Sequence, residues 1–452
     1  MADRRLRIKK SLESTLSDVK WSGSFLTSGS FGKAFNPGLE VFGAGLIGLP
    51  LSAAVAKNII QASHASPFGK GSKTLIDESI RNSWELNADQ FSLRNPAWKT
   101  QIANLLTEVV SGLGLIAEPT EIQAEIYKLV LYEEGAFFLP HQDTEKTDGM
   151  FGTLVISLPS KHEGGDVVAS HRGESRTFSS SSGSEFDFSY AAWYSDITHE
   201  VKPVTSGYRI VLTYNLIHRP SAMLLGNRVN VTARLTSVLE SWAGLCKEAF
   251  PTPDQPVEWF PDDEGACPTA LLYNLDHKYT PAELSFARLK GVDQARVAEL
   301  RKACEQTDFP VFLANIVRSE MGSVDEYASR RWGYDSDPDD GPYHGYHRIQ
   351  ESFESSLKLS HIIEPQDRVF AKEVDISDDA DIFVQDDAFG EDPDDEDFEG
   401  YTGNAGATTT HFYRRTVKNF IFYFPPHFGH ASSNCVIVYK VGLGLHSTDT
   451  LA

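Results

Sequence analysis

The stretch LYEEGAFFLPHQDTEKTDG, residues 131–149, sets His141 and Asp143 one residue apart at the end of an apolar segment. In extended chain, side chains at i and i+2 leave the same face. The imidazole of His141 and the carboxylate of Asp143 can therefore converge on one point, as two ligands of a metal ion must. By itself the pair is a weak signal, because a histidine near an aspartate is more often a hydrogen-bonded core residue.

A second stretch, WYSDITHEVKPVTSGYRIVLTYNL at 193–216, adds His199 and Arg209. A strand that sets His199 opposite the first pair inside a small barrel completes two imidazoles and one carboxylate. With three coordination positions left open, that set suits non-haem Fe(II) that activates oxygen. The segment KPVTSG (202–207) reads as a hairpin connection, which puts Arg209 on the following strand. A guanidinium there can grip a distal carboxylate through two parallel hydrogen bonds, which a lysine does not reproduce. Along 208–214, Arg209, Val211 and Thr213 share one face, and Tyr208, Ile210, Leu212 and Tyr214 share the other. If Arg209 points inward, the larger set needs a cover from outside.

The ordered set of Tyr132, His141, Asp143, the Gly164-Gly165 turn before DVVAS, His199 and Arg209 resembles the Fe(II)/2-oxoglutarate-dependent dioxygenases. The flanking residues look most like the prolyl 4-hydroxylase-type branch. The resemblance implies an α+β fold: a double-stranded β-helix, or jelly-roll, barrel with supporting N-terminal helices. It implies Fe(II) held by His141, Asp143 and His199, and 2-oxoglutarate held by Arg209 with Tyr132 sharing the carboxylate contact. O2 is the second co-substrate. The stretch TLIDESIRNSWEL (74–86) resembles the early strand of such barrels, in which an Arg-x-Ser lies near the substrate entrance. That implies Arg81 and Ser83 on the substrate side, with a plain surface pair as the equal alternative.

The implied reaction oxidises a C–H bond of an amino-acid side chain or an amino-acid-derived small molecule, while 2-oxoglutarate and O2 become succinate and CO2. Two other readings stay open. One directs the same iron chemistry to desaturation or ring closure of a small metabolite. The other, of a different class, is a sensor of oxygen or 2-oxoglutarate that acts by interaction through an acidic C-terminal half.

The chain has 452 residues, enough for two well-cored units. Its formal net charge of −22 argues against a surface that tracks nucleic-acid phosphates. More than half of that charge is local, since 375–399 holds thirteen acidic residues and no Lys or Arg. This block reads as a solvated loop. The four cysteines (Cys246, Cys267, Cys304, Cys435) are widely spaced, which fits a reducing compartment better than a disulfide framework. The uncharged run Val41–Ala56 is interrupted by Pro50 and falls short of the about 20 residues a spanning helix needs. No membrane role is expected, the location is read as cytoplasmic with the nucleus left open, and the partner is a small-molecule or peptide substrate. The oligomeric state is unknown from the sequence.

In chain order, residues 1–38 read as a loosely structured segment and 39–218 as the dioxygenase barrel. A C-terminal α/β region of unassigned fold, with the acidic loop 375–399, spans 219–452. Within the barrel, LEVFGAGLIGLPL (39–51) reads as a strand pair, SAAVAKNIIQASHA (52–65) as a helix capped by Ser52, and PAWKTQIANLLTEVVSGLGL (96–115) as a helix on the barrel's outside. SRTFSSSSGS (175–184) reads as a mobile loop at the barrel mouth or a phosphorylation target, the loop being the commoner case. Farther on, 231–250 reads as a helix, PAELSFARLKG (281–291) and VDQARVAELRKACEQ (292–306) as two more, with strands at 269–277 and 311–320. The sequence GKGSKT (69–74) lacks the glycine spacing of a phosphate loop. The histidine pairs His344/His347 and His427/His430 have no carboxylate at strand spacing and read as loop residues.

Overall fold

The computed structural model describes residues 2–32, 35–70, 73–117, 121–219, 229–249, 270–324, 346–376, 382–390, 393–400 and 406–421. Its helices are α1 (Ala2–Ser17), α2 (Ala53–Ala62), α3 (Pro96–Leu113), α4 (Val229–Ala249) and α5 (Gly291–Thr307).

Two antiparallel sheets build the first half. The larger runs in the order Leu26–Ser30, Ser189–Tyr194, Met150–Ser157, Arg209–His218, Ile122–Tyr132, Trp84–Asn87, His64–Ala65. The smaller runs Glu174–Phe178, Val167–His171, Thr198–Val201, Phe137–His141, Arg81–Asn82. Side chains from both sheets meet in one apolar core that includes Phe138, Val155, Val167, Ala169 and Val211. This is the expected double-stranded β-helix. Every residue of Met150–Ser157 is buried, as its unbroken apolar run requires of a strand covered on both faces.

The supporting helices are where the sequence puts them. Ser52 caps α2 by accepting the Val55 N–H, and α3 starts on Asn95–Pro96 and stops at Gly114 in the left-handed region. Trp98 on α3 donates its indole N–H to Tyr214 Oη at 2.9 Å. The face of the Arg209 strand that points away from the barrel interior is thus covered by a helix.

The second half is an antiparallel sheet, Ala270–Asn274, Thr408–Ile421, Val311–Val324, Ile349–Ile363, Val369–Ile376, with Asp395–Glu399 also paired to Thr408–Ile421. Helices α1, α4 and α5 share a core with Leu271, Tyr273 and Leu313 on one face of this sheet. Ala270, Leu272, Ile316 and Leu359 anchor a separate cluster on the other.

Several expectations are corrected. Residues 1–38 are not loosely structured over their described part. The basic residues of α1 mask a stripe of Ile8, Leu12 and Leu16 that packs with Leu235 and Trp242 of α4, and Leu26–Ser30 is an edge strand of the barrel. The barrel therefore begins before residue 39. KPVTSG is not a simple hairpin: Val204–Gly207 pairs with His162–Gly164, and the chain crosses from the smaller sheet to the larger. PAELSFARLKG forms buried turns rather than a helix, because Ser285 Oγ and the Phe286 N–H bind Asp367 and hold the backbone off the helical path.

Nor is the block 375–399 one solvated loop. Ile382, Val384 and Phe389 are buried, and Asp395–Glu399 is a strand. Asp394 is paired with Lys278 and with Arg415, the latter at 2.8 Å, which removes the charge penalty of order. Of the histidine pairs, His344, His427 and His430 lie outside the described residues. His347 bonds Glu396 at 3.1 Å.

Candidate metal and co-substrate site

Strand register brings the predicted ligands together. His141 and His199 are direct cross-strand partners in the smaller sheet, with ring centroids 4.2 Å apart. Asp143 lies just past the end of its strand, where its N–H donates to Ser195 O at 3.0 Å. One ligand atom from each of His141, Asp143 and His199 lies within 4.8 Å of the other two. It is the only such group of three or more found among the described residues.

The imidazole tautomers follow from the hydrogen bonds. His141 Nδ1 lies 2.8 Å from Leu139 O, and His199 Nδ1 lies 3.0 Å from Ile197 O. A carbonyl only accepts, so each Nδ1 carries a proton and Nε2 is the nitrogen left to face a metal. Burial, and then the neighbouring His199, push the His141 pKa down to about 3, so the ring is neutral at physiological pH. Burial opposes ionisation of Asp143, but His199, His141 and the donors Thr153 and Trp193 outweigh it and hold the carboxyl below its ordinary range. A neutral imidazole at His141 and a carboxylate at Asp143 are protonation states that suit a divalent cation.

Thr153 Oγ1 and Trp193 Nε1 both donate to Asp143 Oδ2, at 2.6 and 3.1 Å. Phe138 stacks on His141 with centroids 3.5 Å apart, and the Arg81 guanidinium lies 4.5 Å from the centre of the Phe138 ring. Arg81 also donates to Ser83 Oγ at 3.2 Å and to Pro67 O at 2.7 Å, and pairs with the buried Glu85 at 3.3 Å. Lys128, from the neighbouring strand, pairs with the same carboxylate.

Arg209 and Tyr132 are cross-strand partners in the larger sheet, and the guanidinium carbon lies 5.3 Å from the Tyr132 ring centre. Arg209 is 1% exposed, yet its Nη2 has no hydrogen-bond partner. An orphaned donor on a buried cation is costly unless a ligand pairs with it. Its Nε donates to Ser180 Oγ at 3.3 Å. His162 Nδ1 is bonded to Ser160 O, so Nε2 is the acceptor for the Ser180 hydroxyl at 3.1 Å. Gly165 lies against this assembly at φ +71°, where a Cβ would come within 2.8 Å of Arg209 Cδ. The residues fit both groups, a divalent cation on His141, Asp143 and His199 and a carboxylate on Arg209.

Sequence reasoning missed Thr153, Trp193, His162 and Ser180. Ser180 was hidden in a serine run read as a mobile loop, yet it is buried beside Arg209.

Residues 127–217 match the family model described as 2OG-Fe(II) oxygenase superfamily. The chain carries a 2OG-Fe(II) oxygenase domain. Enzymes of this superfamily use Fe(II), 2-oxoglutarate and O2, and this domain presents the His-Asp-His group that could hold the metal. Among solved structures, the chain is similar to a Pseudomonas putida prolyl-4-hydroxylase, at 18% identity over 46% of this chain and 99% of that one, TM-score 0.30. It is also similar to a Trichoplax adhaerens prolyl hydroxylase solved with a hypoxia inducible factor peptide fragment, at 14% identity over 47% and 91%, TM-score 0.30. A 2OG-Fe(II) oxygenase family oxidoreductase from Burkholderia pseudomallei gives 16% identity over 46% and 92%, TM-score 0.26. Among curated proteins, no match to the chain is found. Among its described residues no helix is long and apolar enough to cross a membrane.

Proposed function

We propose that the protein hydroxylates a C–H bond of an amino-acid side chain or an amino-acid-derived small molecule, converting 2-oxoglutarate and O2 to succinate and CO2. The observation that carries this reading is the convergence of His141, Asp143 and His199 in the barrel that also buries the unpartnered Nη2 of Arg209. Fe(II) and 2-oxoglutarate, when bound, would supply the electrons that activate O2, and O2 is the oxidant that removes hydrogen from carbon.

The chain's own residues aim and shield. His141, Asp143 and His199 hold the metal, and Arg209 takes the distal carboxylate of 2-oxoglutarate beside the Tyr132 ring, so the co-substrate is oriented before oxygen arrives. Ser180 and His162 fix the guanidinium. The catalytic unit is the barrel of residues 39–218 extended by the strand Leu26–Ser30.

On the substrate side we place Arg81, steadied by Ser83. Arg81 and Lys128 face a single carboxylate, Glu85, so this wall carries a surplus of positive charge close to His141. Such a wall favours a substrate bearing a carboxylate, as a free amino acid or an acidic side chain does.

The test is an anaerobic titration of metal-free protein with Fe(II) and then 2-oxoglutarate. A weak visible charge-transfer band, followed by succinate on admission of air, supports the reading. Absence of the band in fully iron-loaded protein overturns it.

A further inference from the structure

The turn between the two metal-site strands is gripped by the C-terminal half. Ser195, Asp196 and Ile197 join the strand carrying Trp193 to the strand carrying His199, and Ser195 O is the atom that accepts the Asp143 N–H. The Asp196 carboxylate points away from the barrel and accepts three donors from the other half. These are His277 Nδ1 at 3.1 Å, the Lys278 N–H at 3.0 Å and Lys290 Nζ at 3.4 Å. Lys290 Nζ also donates to Ser195 Oγ at 3.3 Å and Lys278 O at 3.1 Å.

All three side chains are out of water: Asp196 is 8% exposed, and His277 and Lys290 are 2% exposed each. Their own positions are fixed in turn. Asp293 accepts the N–H groups of Asp276 and His277 and the hydroxyl of Tyr279, and Tyr279 Oη accepts the Lys290 N–H at 2.7 Å.

We propose that Asp196, His277 and Lys290 form a brace through which the C-terminal half positions the metal-binding turn, an inference that rests on the metal-site reading above. Burying charges to join two halves contributes little net stability, since apolar contacts achieve the same at lower desolvation cost. What a buried, fully hydrogen-bonded network provides is one geometry, because any shift of the turn leaves a charge unpaired. The grip falls on two of the five residues between Trp193, a donor to Asp143, and the ligand His199, and one of the two, Ser195, supplies the carbonyl that fixes the Asp143 backbone. These are positioning residues; none of them touches metal or substrate.

The test uses the full chain with Lys290→Met, the isosteric Asp196→Asn and the conservative Lys290→Arg, and Co(II) alone as the probe. Anaerobic titration followed through the visible d–d bands reads affinity and ligand geometry together. Lys290→Met and Asp196→Asn are expected to weaken Co(II) binding by tenfold or more and to shift the bands, the range seen when residues supporting metal ligands are removed. The KM for 2-oxoglutarate at saturating Fe(II) is expected to stay within about twofold, since Arg209 lies outside the brace, and Lys290→Arg should recover much of the affinity. If Lys290→Met does not fold, Asp196→Asn, which keeps the volume, decides the matter. Variants with native circular dichroism, wild-type affinity and unshifted bands overturn the brace while leaving the metal site intact. A wild-type protein that binds no Co(II) overturns the metal-site reading and the brace with it.

Discussion

Thr153 and Trp193 face each other across two antiparallel strands and donate to the same oxygen of Asp143. One carboxylate oxygen is thus oriented by two fixed donors, which sets the direction in which Asp143 presents its charge. Thr153→Val keeps the shape and removes the shorter bond. The expected outcome is a loss of about tenfold in apparent Fe(II) affinity, read from the iron dependence of succinate formation. The melting temperature should fall only slightly, in line with the roughly 1 kcal/mol of one hydrogen bond.

The ligand set makes the sharpest claim. His141→Ala, Asp143→Ala and His199→Ala should each abolish turnover, and stoichiometric iron measured in the purified variants should drop. Ordinary succinate production by His199→Ala would remove the triad.

Arg209 separates co-substrate binding from metal binding. Arg209→Ala should leave Fe(II) bound while raising the 2-oxoglutarate requirement by two orders of magnitude or so, the scale of about 3 kcal/mol for a buried charge-assisted pair. Gly165→Ala should do the same more mildly, because its Cβ would press on Arg209 Cδ from a backbone conformation that favours glycine. Isothermal titration with 2-oxoglutarate under anaerobic conditions checks both.

Stability should peak close to neutral pH for reasons seated between the two halves. Burial, then His277, pushes the His171 pKa down to about 4. The unfolded chain takes up a proton at His171 below about 6.5 while the folded chain does not, so stability falls as pH drops from there toward 4. His277 works the other way: burial opposes its charge, but Asp196 and then Asp293 outweigh burial and raise its pKa. Its contribution is complete below about 6.5 and is lost as pH rises through the folded value. His171→Gln should flatten the acid side of a plot of melting temperature against pH. A slope unchanged between pH 4 and 6.5 would remove His171 as its cause.

Much of the barrel could be read from the chain because its signals are local. The alternation around Arg209, the unbroken apolar run at 150–157 and the Ser52 and Asn95–Pro96 helix starts each depend on a few consecutive residues. The metal ligands were legible for the same reason: two sit at i and i+2, and the third follows in a strand of matching character. What escaped depends on partners far along the chain. Ser180 is unremarkable in sequence and becomes part of the Arg209 environment only when the smaller sheet folds over it. Asp394 looks like one acid among many until Lys278 and Arg415 arrive beside it. The register that makes Thr153 and Trp193 neighbours is likewise a property of the sheet and of no single strand.

The path of the first thirty residues bears on how the protein is made. Helix α1 packs with α4 in the core of the second half, whereas the strand soon after it, Leu26–Ser30, zips onto the edge of the barrel. During synthesis the barrel strands can pair as they emerge, but Ile8, Leu12 and Leu16 have no cover until Leu235 and Trp242 have left the ribosome. A nascent chain carries that bare apolar stripe throughout barrel formation, and a barrel cut free of its C-terminal half carries it permanently. Shielding by chaperones, or clipping at the amino end, would be the natural fate of such a fragment.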